Sequence, residues 1–123
     1  MKKQLLGLKA YLFGKESEKV ALSYLKKQKF KIIQTNYHTK YGEIDIIAIK
    51  NNILHFIEVK SSKSYEPQYY LTPSKYTKII KSIEVFLLKN DIYNDVDYMV
   101  DLFCVKQKDE DFEYDFIENI SIS

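Results

Sequence analysis

The chain has 123 residues, enough for one domain with a hydrophobic core and too few for two. Apolar residues make up 46% of the chain and aromatic residues 15%, so the composition excludes a disordered tail. The net charge of +2 excludes attraction of nucleic acid by overall charge, and any such attraction has to come from locally clustered cations.

The composition also bears on the compartment. No apolar run approaches the roughly 18–20 residues that span a bilayer. The short apolar run near the N-terminus is interrupted by Lys9 and lacks a small-residue cleavage site, so we do not interpret it as a signal peptide. The single cysteine, Cys104, excludes an internal disulfide and suits a reducing compartment. We therefore expect a cytoplasmic protein with no membrane partner and with Cys104 as a buried thiol.

The first predicted elements are a helix from Lys15 to Gln28 and a strand from Phe30 to Tyr37. Apolar residues recur along one side of the helix at Val20, Ala21, Leu22, Tyr24 and Leu25. Glu18 precedes members of this stripe by three, four and seven residues. Its carboxylate is therefore predicted to point along the buried side, where it needs a partner.

A β-hairpin is predicted next, with the arms Gly42–Lys50 and Ile53–Lys60. Both arms are rich in β-branched and aromatic residues. Asn51 and Asn52 are predicted to form its two-residue loop, because asparagine tolerates the positive φ that such loops require. Lys50 then pairs with Ile53, and this register fixes every later pair.

Four charged side chains are predicted to project from one face of this hairpin. Asp45 falls opposite Glu58, and Glu43 falls opposite Lys60. Directly opposed residues have Cβ atoms roughly 4.5–5.5 Å apart, close enough for two carboxylates to share one divalent cation. Mg²⁺ is typically held by one or two carboxylates with water and phosphate, and Lys60 would lie beside it. This set is what metal-assisted phosphodiester hydrolysis requires.

Other interpretations of these charges stay open. Asp45 interrupts the apolar run Ile44–Ile49, where an unpaired charge is costly, and a salt bridge with Lys60 or Lys40 would also account for it. Glu43 opposite Lys60 fits a plain cross-strand ion pair as well as an auxiliary catalytic position.

The two histidines, His38 and His55, have no spacing typical of metal ligands. Strand alternation places His55 on the opposite face of the hairpin from Glu58. We therefore interpret His55 as a core or second-face residue.

A second helix has a clear start, with Thr72 as its N-cap and Pro73 at the first helical position. A polar loop, Ser61–Tyr70, precedes it. Its packed face is predicted to consist of Tyr76, Ile79, Ile80, Ile83, Phe86 and Leu87. Three lysines are predicted to lie off that face: Lys75, Lys78 and Lys81.

Two further strands complete the chain. The segment Asn90–Asn94 is predicted to turn the chain out of the helix. Strands are predicted over Tyr98–Val105 and Phe112–Ile120, joined through the acidic loop Lys108–Asp111. The predicted order is α-β-β-β-α-β-β in a single α/β domain over residues 1–123.

The hairpin residues resemble the core of the PD-(D/E)xK nucleases, with Asp45, twelve intervening residues and then Glu58-Val59-Lys60. The segments Gly42–Ala48 and Phe56–Lys60 are similar to the paired signatures of the YraN-like family, uncharacterised bacterial proteins assigned to that superfamily. The resemblance covers about residues 14 to 105 and includes Asn36. Four positions depart from the family pattern, with Ser17 and Lys29 in place of glycines and His38 and Ser62 in place of arginines.

The resemblance implies a restriction-endonuclease-like α/β core, with a mixed β-sheet flanked by helices. It also implies a metal-dependent nuclease that uses Mg²⁺ or Mn²⁺ and selects DNA by structure more than by sequence. In this interpretation the metal ligands are Asp45, Glu58, the Val59 carbonyl and Glu18. Lys60 is the catalytic lysine that stabilises the transition state or orients the attacking water. RNA and branched DNA stay open as substrates.

Lysines are predicted to hold the nucleic acid. Lys40 and Lys63 lie close to the candidate site in the sequence, and Lys75 and Lys78 open the second helix, whose N-terminus favours phosphate. We expect contacts with the backbone that are independent of base sequence. A solvated lysine face is the other interpretation of the helix. The alternative function is a non-catalytic module that binds nucleic acid or protein, and the sequence does not decide between a monomer and a homodimer.

Overall fold

The order of helices and strands follows the prediction. A computed structural model describes residues 2–62, 71–108 and 111–120, and of residues 2–13 and 107–108 it describes only the backbone. A short 3₁₀ turn, Asp91–Tyr93, follows the second helix. The main elements are helix α1 (Lys2–Lys27), strands β1 (Lys31–Thr39), β2 (Gly42–Lys50) and β3 (Ile53–Ser62), helix α2 (Pro73–Lys89), and strands β4 (Asp97–Lys108) and β5 (Asp111–Ile117).

Some element boundaries differ from the prediction. Helix α1 begins at Lys2 and not at Lys15, because the leading segment is rich in Leu and Lys, which favour helix. Strand β5 ends at Ile117 and not at Ile120. It ends early because Asn119 adopts a positive φ of 58° and the Ile120 N–H donates to the Val100 carbonyl, 2.8 Å away. Residues 109–110 of the predicted acidic loop lie outside the described residues.

The five strands form one mixed sheet in the order β1-β2-β3-β4-β5. Neighbouring strands are antiparallel except β3 and β4, which are parallel. A parallel pair needs a crossover connection, and α2 lies in that connection. The mixed sheet with two helices confirms the predicted fold class. Within the described residues, neither helix combines the length and the apolar character that crossing a bilayer requires.

The loop between β2 and β3 is Asn51-Asn52, as predicted. Both residues have positive φ, 51° and 61°, which is the conformation of a type I′ hairpin turn. The turn sets Lys50 opposite Ile53, and the pairing continues in this register as far as Ile46 opposite Ile57. The predicted register is confirmed over these residues.

Each face of the sheet is covered by one helix. Helix α1 contributes Ala21 and Leu25 to one buried cluster, and α2 contributes Ile83 and Phe86 to the other. The β3 neighbours Phe56 and Ile57 belong to different clusters, because side chains alternate along a strand. We call these two faces the α1 side and the α2 side.

We expect replacement of the α2 N-cap, Thr72→Ala, to lower the free energy of unfolding by about 1 kcal/mol. The Thr72 Oγ1 accepts a hydrogen bond from the Lys75 N–H at 3.2 Å, and alanine cannot replace it. Urea denaturation measures the change. Thr77→Ala is the matched control, because the Thr77 hydroxyl only donates back to the Pro73 carbonyl within the helix. Equal losses in the two variants would contradict the capping role.

Candidate functional site

Strands β2 and β3 separate beyond the Ile46–Ile57 pair, and two carboxyl groups fill the gap. The Asp45 Oδ2 accepts a hydrogen bond from the Val59 N–H at 2.8 Å. The Glu58 Oε1 accepts one from the Asp45 N–H at 3.3 Å. Side-chain oxygens therefore take over the bonds that the opposite backbone makes in an ordinary ladder. We call this arrangement of Asp45, Glu58 and Val59 the fork.

The structure divides the charged side chains that were predicted to share one face. Ile44 and Ile47 both pack in the α2-side cluster, so the regular alternation of β2 is interrupted between them. Asp45 lines a cavity with Glu18, whereas Glu58 lines a second cavity with residues of α2. The single-face geometry is therefore corrected. The two carboxyl groups meet at the fork because each bonds to the backbone of the opposite strand.

The first cavity has a volume of about 300 Å³ and lies on the α1 side. Its strand residues are Asp45, Val59 and Ser61, and α1 contributes the segment from Gly14 to Glu18 except for Glu16. Glu18 is half-buried there. The predicted approach of Glu18 from the helix therefore brings it to the same cavity as Asp45.

Asn36 joins the two acidic residues that flank the fork, a role that the sequence did not reveal. With its side-chain nitrogen facing the carboxylates, Asn36 donates to Glu43 Oε1 at 2.7 Å and to Glu18 Oε1 at 3.2 Å. Its backbone has a positive φ of 52°. An asparagine inside a strand was the available signal, since this residue tolerates that conformation. Its contacts depend on the packing of α1 against the sheet.

The second cavity has a volume of about 290 Å³ and lies on the α2 side. Glu43, Glu58 and Lys60 line it from the sheet, and α2 contributes Lys75 and Lys78 to it. The two helix lysines are exposed, as predicted. The structure therefore brings acidic residues of the hairpin and lysines of α2 to one cavity.

The electrostatics of the fork disfavour two negative charges. Burial is the main cause that raises the pKa of Glu58 to about 8, and the adjacent Asp45 carboxylate adds to the effect. Burial likewise raises the pKa of Asp45 to about 6, against the opposing hydrogen bond from the Val59 N–H. A proton or another positive charge at the fork is therefore favourable.

The surroundings of the Lys60 ammonium shift its pKa in opposite directions, and the net effect lowers the pKa. Burial lowers its pKa most, and the neighbouring Lys75 lowers the pKa further. The carboxylates of Glu58 and Asp45 act in the other direction. This contact between Lys60 and Lys75 was not predicted, because it joins β3 to α2 and forms only when the helix packs against the sheet.

The remaining predicted positions differ in their outcome. Glu43 lies opposite His38 in the β1–β2 ladder, and its Oε1 is 4.0 Å from the His38 Nε2. Among the described residues no ion pair joins Glu43 to Lys60, so the cross-strand ion pair is not formed. Lys40 is exposed, with its Nζ 5.2 Å from the centre of the Tyr41 ring. Lys63 lies outside the described residues.

The carboxyl groups of Asp45, Glu58 and Glu18 are neighbours, but their oxygens do not form a compact set of metal ligands. Within the described ranges, the only trio of His, Cys, Asp or Glu residues with ligand atoms all within 4.8 Å of one another is His55, Asp101 and Glu118. Glu18 therefore adds to the charge at the fork without completing a three-residue ligand set in this conformation.

We expect the chelator-treated protein to lose stability as the pH rises from about 5 to 9. The pKa values of about 6 and 8 in the folded protein exceed the ordinary values of 3.8 and 4.5, so the folded state holds protons that the unfolded chain has released. The stabilisation is complete below about pH 4 and is lost through the folded pKa values. Glu58→Gln should flatten this slope and raise stability at pH 9 by at least about 1 kcal/mol.

Urea denaturation at a series of pH values measures this effect. Glu84→Gln, which removes an exposed acid from α2, is the matched control and should keep the wild-type slope. A Glu58→Gln slope equal to that of wild type would show that the fork carries no such repulsion.

Comparisons with known proteins give a consistent family result. A profile described as "Uncharacterised protein family UPF0102" matches residues 17–117. A UPF0102 protein of Campylobacter fetus subsp. fetus is 48% identical over 117 residues, which cover 94% of this chain and 99% of that protein. A UPF0102 protein of Campylobacter concisus is 50% identical over 119 residues, which cover 95% of this chain and 100% of that protein.

Proposed function

The chain belongs to the uncharacterised protein family UPF0102, and we propose that it is a metal-dependent nuclease that hydrolyses phosphodiester bonds of DNA. The resemblance to the YraN-like family is confirmed at the family level. Placement in the PD-(D/E)xK superfamily is part of the proposal, as is a cytoplasmic location, which agrees with the single, buried cysteine, Cys104.

One observation carries this proposal. Asp45 and Glu58 hold their carboxyl groups together in a gap between two strands, and Lys60 follows Glu58 on the same strand. Two half-buried acids at one point are costly for a fold to keep without a cation. A lysine beside them supplies the positive charge that a phosphate needs.

The donor atoms of the fork fit a hard divalent cation. Asp45 and Glu58 offer carboxylate oxygens. Val59 and Glu18 line the same cavity as Asp45, and in this proposal they add the Val59 carbonyl and the Glu18 carboxylate, the latter directly or through water. All four donors are oxygens, which suit Mg²⁺ or Mn²⁺ better than softer metals. Such a cation, when bound, lowers the pKa of water and offsets negative charge on phosphate oxygens.

The remaining roles in the proposed reaction belong to side chains and backbone groups of the chain. Asp45 and Glu58 would hold the cation. The Val59 N–H donates to the Asp45 carboxylate and the Asp45 N–H donates to the Glu58 carboxylate, and these hydrogen bonds orient the carboxylate oxygens. Lys60 lies beside Glu58 in the α2-side cavity, where its ammonium can donate to a phosphate oxygen or orient the attacking water. Burial and, after it, the neighbouring Lys75 lower the pKa of Lys60, which makes loss of a proton from Lys60 easier. Asn36 holds Glu18 and Glu43 at the border of the site.

The substrate is inferred from the cations around the α2-side cavity. Lys75 and Lys78 lie in the first two turns of α2, where backbone N–H groups and lysine charge both attract phosphate. Lysine contacts phosphate as a point charge and reads no base. We therefore propose that DNA is recognised by its backbone and its shape.

We expect the purified protein to cut DNA in the presence of Mn²⁺ or Mg²⁺, and Lys60→Ala to reduce the rate on the order of 10²–10³-fold, because it removes a charge beside the reacting phosphate. Plasmid, single-stranded and branched DNA separate the substrate shapes. Lys89→Ala, at the far end of α2, is the control and should cut like wild type. Cutting that survives Glu58→Ala and Lys60→Ala together would point to a contaminant or another mechanism.

Calorimetric measurement of Mn²⁺ binding distinguishes the proposed nuclease from the alternative, a non-catalytic binding module. Wild type should bind Mn²⁺, and Asp45→Ala should lose that binding because the fork then keeps one carboxylate. DNA binding without any cleavage, and without a difference in Mn²⁺ binding between these two proteins, would favour the non-catalytic alternative.

We expect the double variant Lys75→Ala/Lys78→Ala to weaken DNA binding equally on every base sequence. It should also flatten the dependence of binding on salt, because fewer counterions are released per complex. Fluorescence anisotropy at several salt concentrations measures both quantities. Lys26→Ala/Lys27→Ala, at the exposed C-terminal end of α1, removes the same charge and serves as the control. Binding that is insensitive to salt or selective for one sequence would contradict this substrate path.

A further inference from the structure

A third cavity, lined by polar residues, lies on the α1 side of the sheet, at the hairpin end of β3. Its volume is about 220 Å³. It shares no lining residue with the two cavities of the fork. His55 and Glu118 line it, together with the amide side chains of Gln28 and Asn51. The proposed nuclease function uses none of these residues.

A buried carboxylate holds the His55 ring at this cavity. His55 is 4% exposed and Asp101 is fully buried, and the His55 Nδ1 lies 2.6 Å from the Asp101 Oδ2. The other Asp101 oxygen accepts a hydrogen bond from the Asn119 N–H at 2.9 Å. Phe30 packs edge-on against the ring. The prediction that His55 belongs to the second face is confirmed, and its position is strongly constrained.

The Nε2 of His55 is the nitrogen left for a ligand. When the Nδ1 donates its proton to Asp101, the lone pair resides on Nε2. This atom makes no hydrogen bond within the described part of the chain. A histidine whose other nitrogen donates to a carboxylate is the usual arrangement of a metal-binding imidazole, in which the carboxylate fixes the tautomer and the ring orientation.

Glu118 is anchored beside this histidine. The two residues that follow it are bonded to β4, through the Asn119 N–H to Asp101 and the Ile120 N–H to the Val100 carbonyl. Glu118 is exposed and has no ion-pair partner within 4.0 Å among the described residues. The Lys50 ammonium, which also borders the cavity, lies over the Phe30 ring at 5.0 Å. The Glu118 carboxylate is therefore available for a ligand.

Distances decide which groups can bind one ion. Ligand atoms of His55, Asp101 and Glu118 lie within 4.8 Å of one another. Two ligands of a tetrahedral zinc ion with bonds of about 2.0 Å are roughly 3.3 Å apart. The 2.6 Å contact between His55 and Asp101 is too short for that and is a hydrogen bond. Asp101 is therefore a positioning residue.

We propose that His55 and Glu118 bind a divalent transition-metal ion of the zinc class in this cavity, with Asp101 holding the imidazole in the ligating tautomer. An imidazole nitrogen with one carboxylate suits Zn²⁺ and related ions, whereas the all-oxygen fork suits Mg²⁺. Water fills the remaining coordination positions. The site is independent of the proposed nuclease function.

Zn²⁺ titration of the full chain, with Mg²⁺ in excess to saturate the fork, tests the proposal. Long-range ¹H–¹⁵N spectra of the histidine rings report the ligand nitrogen, and His38 provides an internal reference. We expect the His55 Nε2 signal to shift at one equivalent of Zn²⁺, while that of His38 does not. Glu118→Gln should weaken Zn²⁺ binding at least 10-fold, and Glu84→Gln should bind like wild type. An unmoved His55 signal, or equal affinity of Glu118→Gln and wild type, would overturn the proposal.

Asp101→Asn tests the positioning role. It should weaken Zn²⁺ binding about 10–100-fold and change the ¹⁵N shifts that report which His55 nitrogen carries the proton. A purely structural role would leave that tautomer unchanged. If this variant does not fold, Glu118→Gln still decides the proposal, because Glu118 is exposed. The Asp45→Ala variant should keep the His55 response to Zn²⁺, so failure at one site is distinguishable from failure at the other.

Discussion

Two hydrogen bonds between side-chain carboxyl groups and the opposite backbone hold β2 and β3 at the point where their ladder ends. Asp45 accepts from the Val59 N–H, and Glu58 accepts from the Asp45 N–H. Because the side-chain oxygens replace backbone acceptors, the strands can separate without leaving the Val59 and Asp45 N–H groups unpaired. Unpaired N–H groups would be costly in a half-buried region. This arrangement also brings two acids into contact. Burial is the main cause that raises the pKa of both, and neighbouring carboxylates add to it. The cavities on both sides of the sheet begin at this gap.

The rest of the site is arranged around that concentration of negative charge. Asn36 donates to two acidic side chains and keeps them at the border, and α2 brings lysines towards the other side. The contact between Lys60 and Lys75 places two ammonium groups together, which is unfavourable by itself, as are two carboxylates at the fork. The acids and the lysines reduce each other's cost. A cation and a phosphate would satisfy both groups at once, which is the physical basis of the proposed nuclease function.

The His55–Asp101 pair, on the α1 side of the sheet, differs from the fork because its two buried polar groups bond to each other. His55 and Asp101 are more deeply buried than the fork, yet they satisfy each other at 2.6 Å, and the Asn119 N–H completes the carboxylate. This pair ties β3 to β4 and fixes the chain after β5. The outer nitrogen of the ring and the exposed Glu118 are left for a ligand at the cavity. Because the buried Asp101 carboxylate orients the His55 imidazole, the ring is already positioned for a ligand in the proposed site.

The sequence by itself determined the features that depend on neighbouring residues. The Asn51-Asn52 loop, the Thr72-Pro73 helix start and the order of elements follow from local backbone preferences and side-chain periods. Only the tertiary structure decided which cavity Asp45 lines, because the alternation of β2 is interrupted next to it. The Asn36 bridge depends on how α1 packs on the sheet. The His55–Asp101 pair joins residues 46 positions apart. No local preference encodes such contacts, since they form only when distant segments pack together.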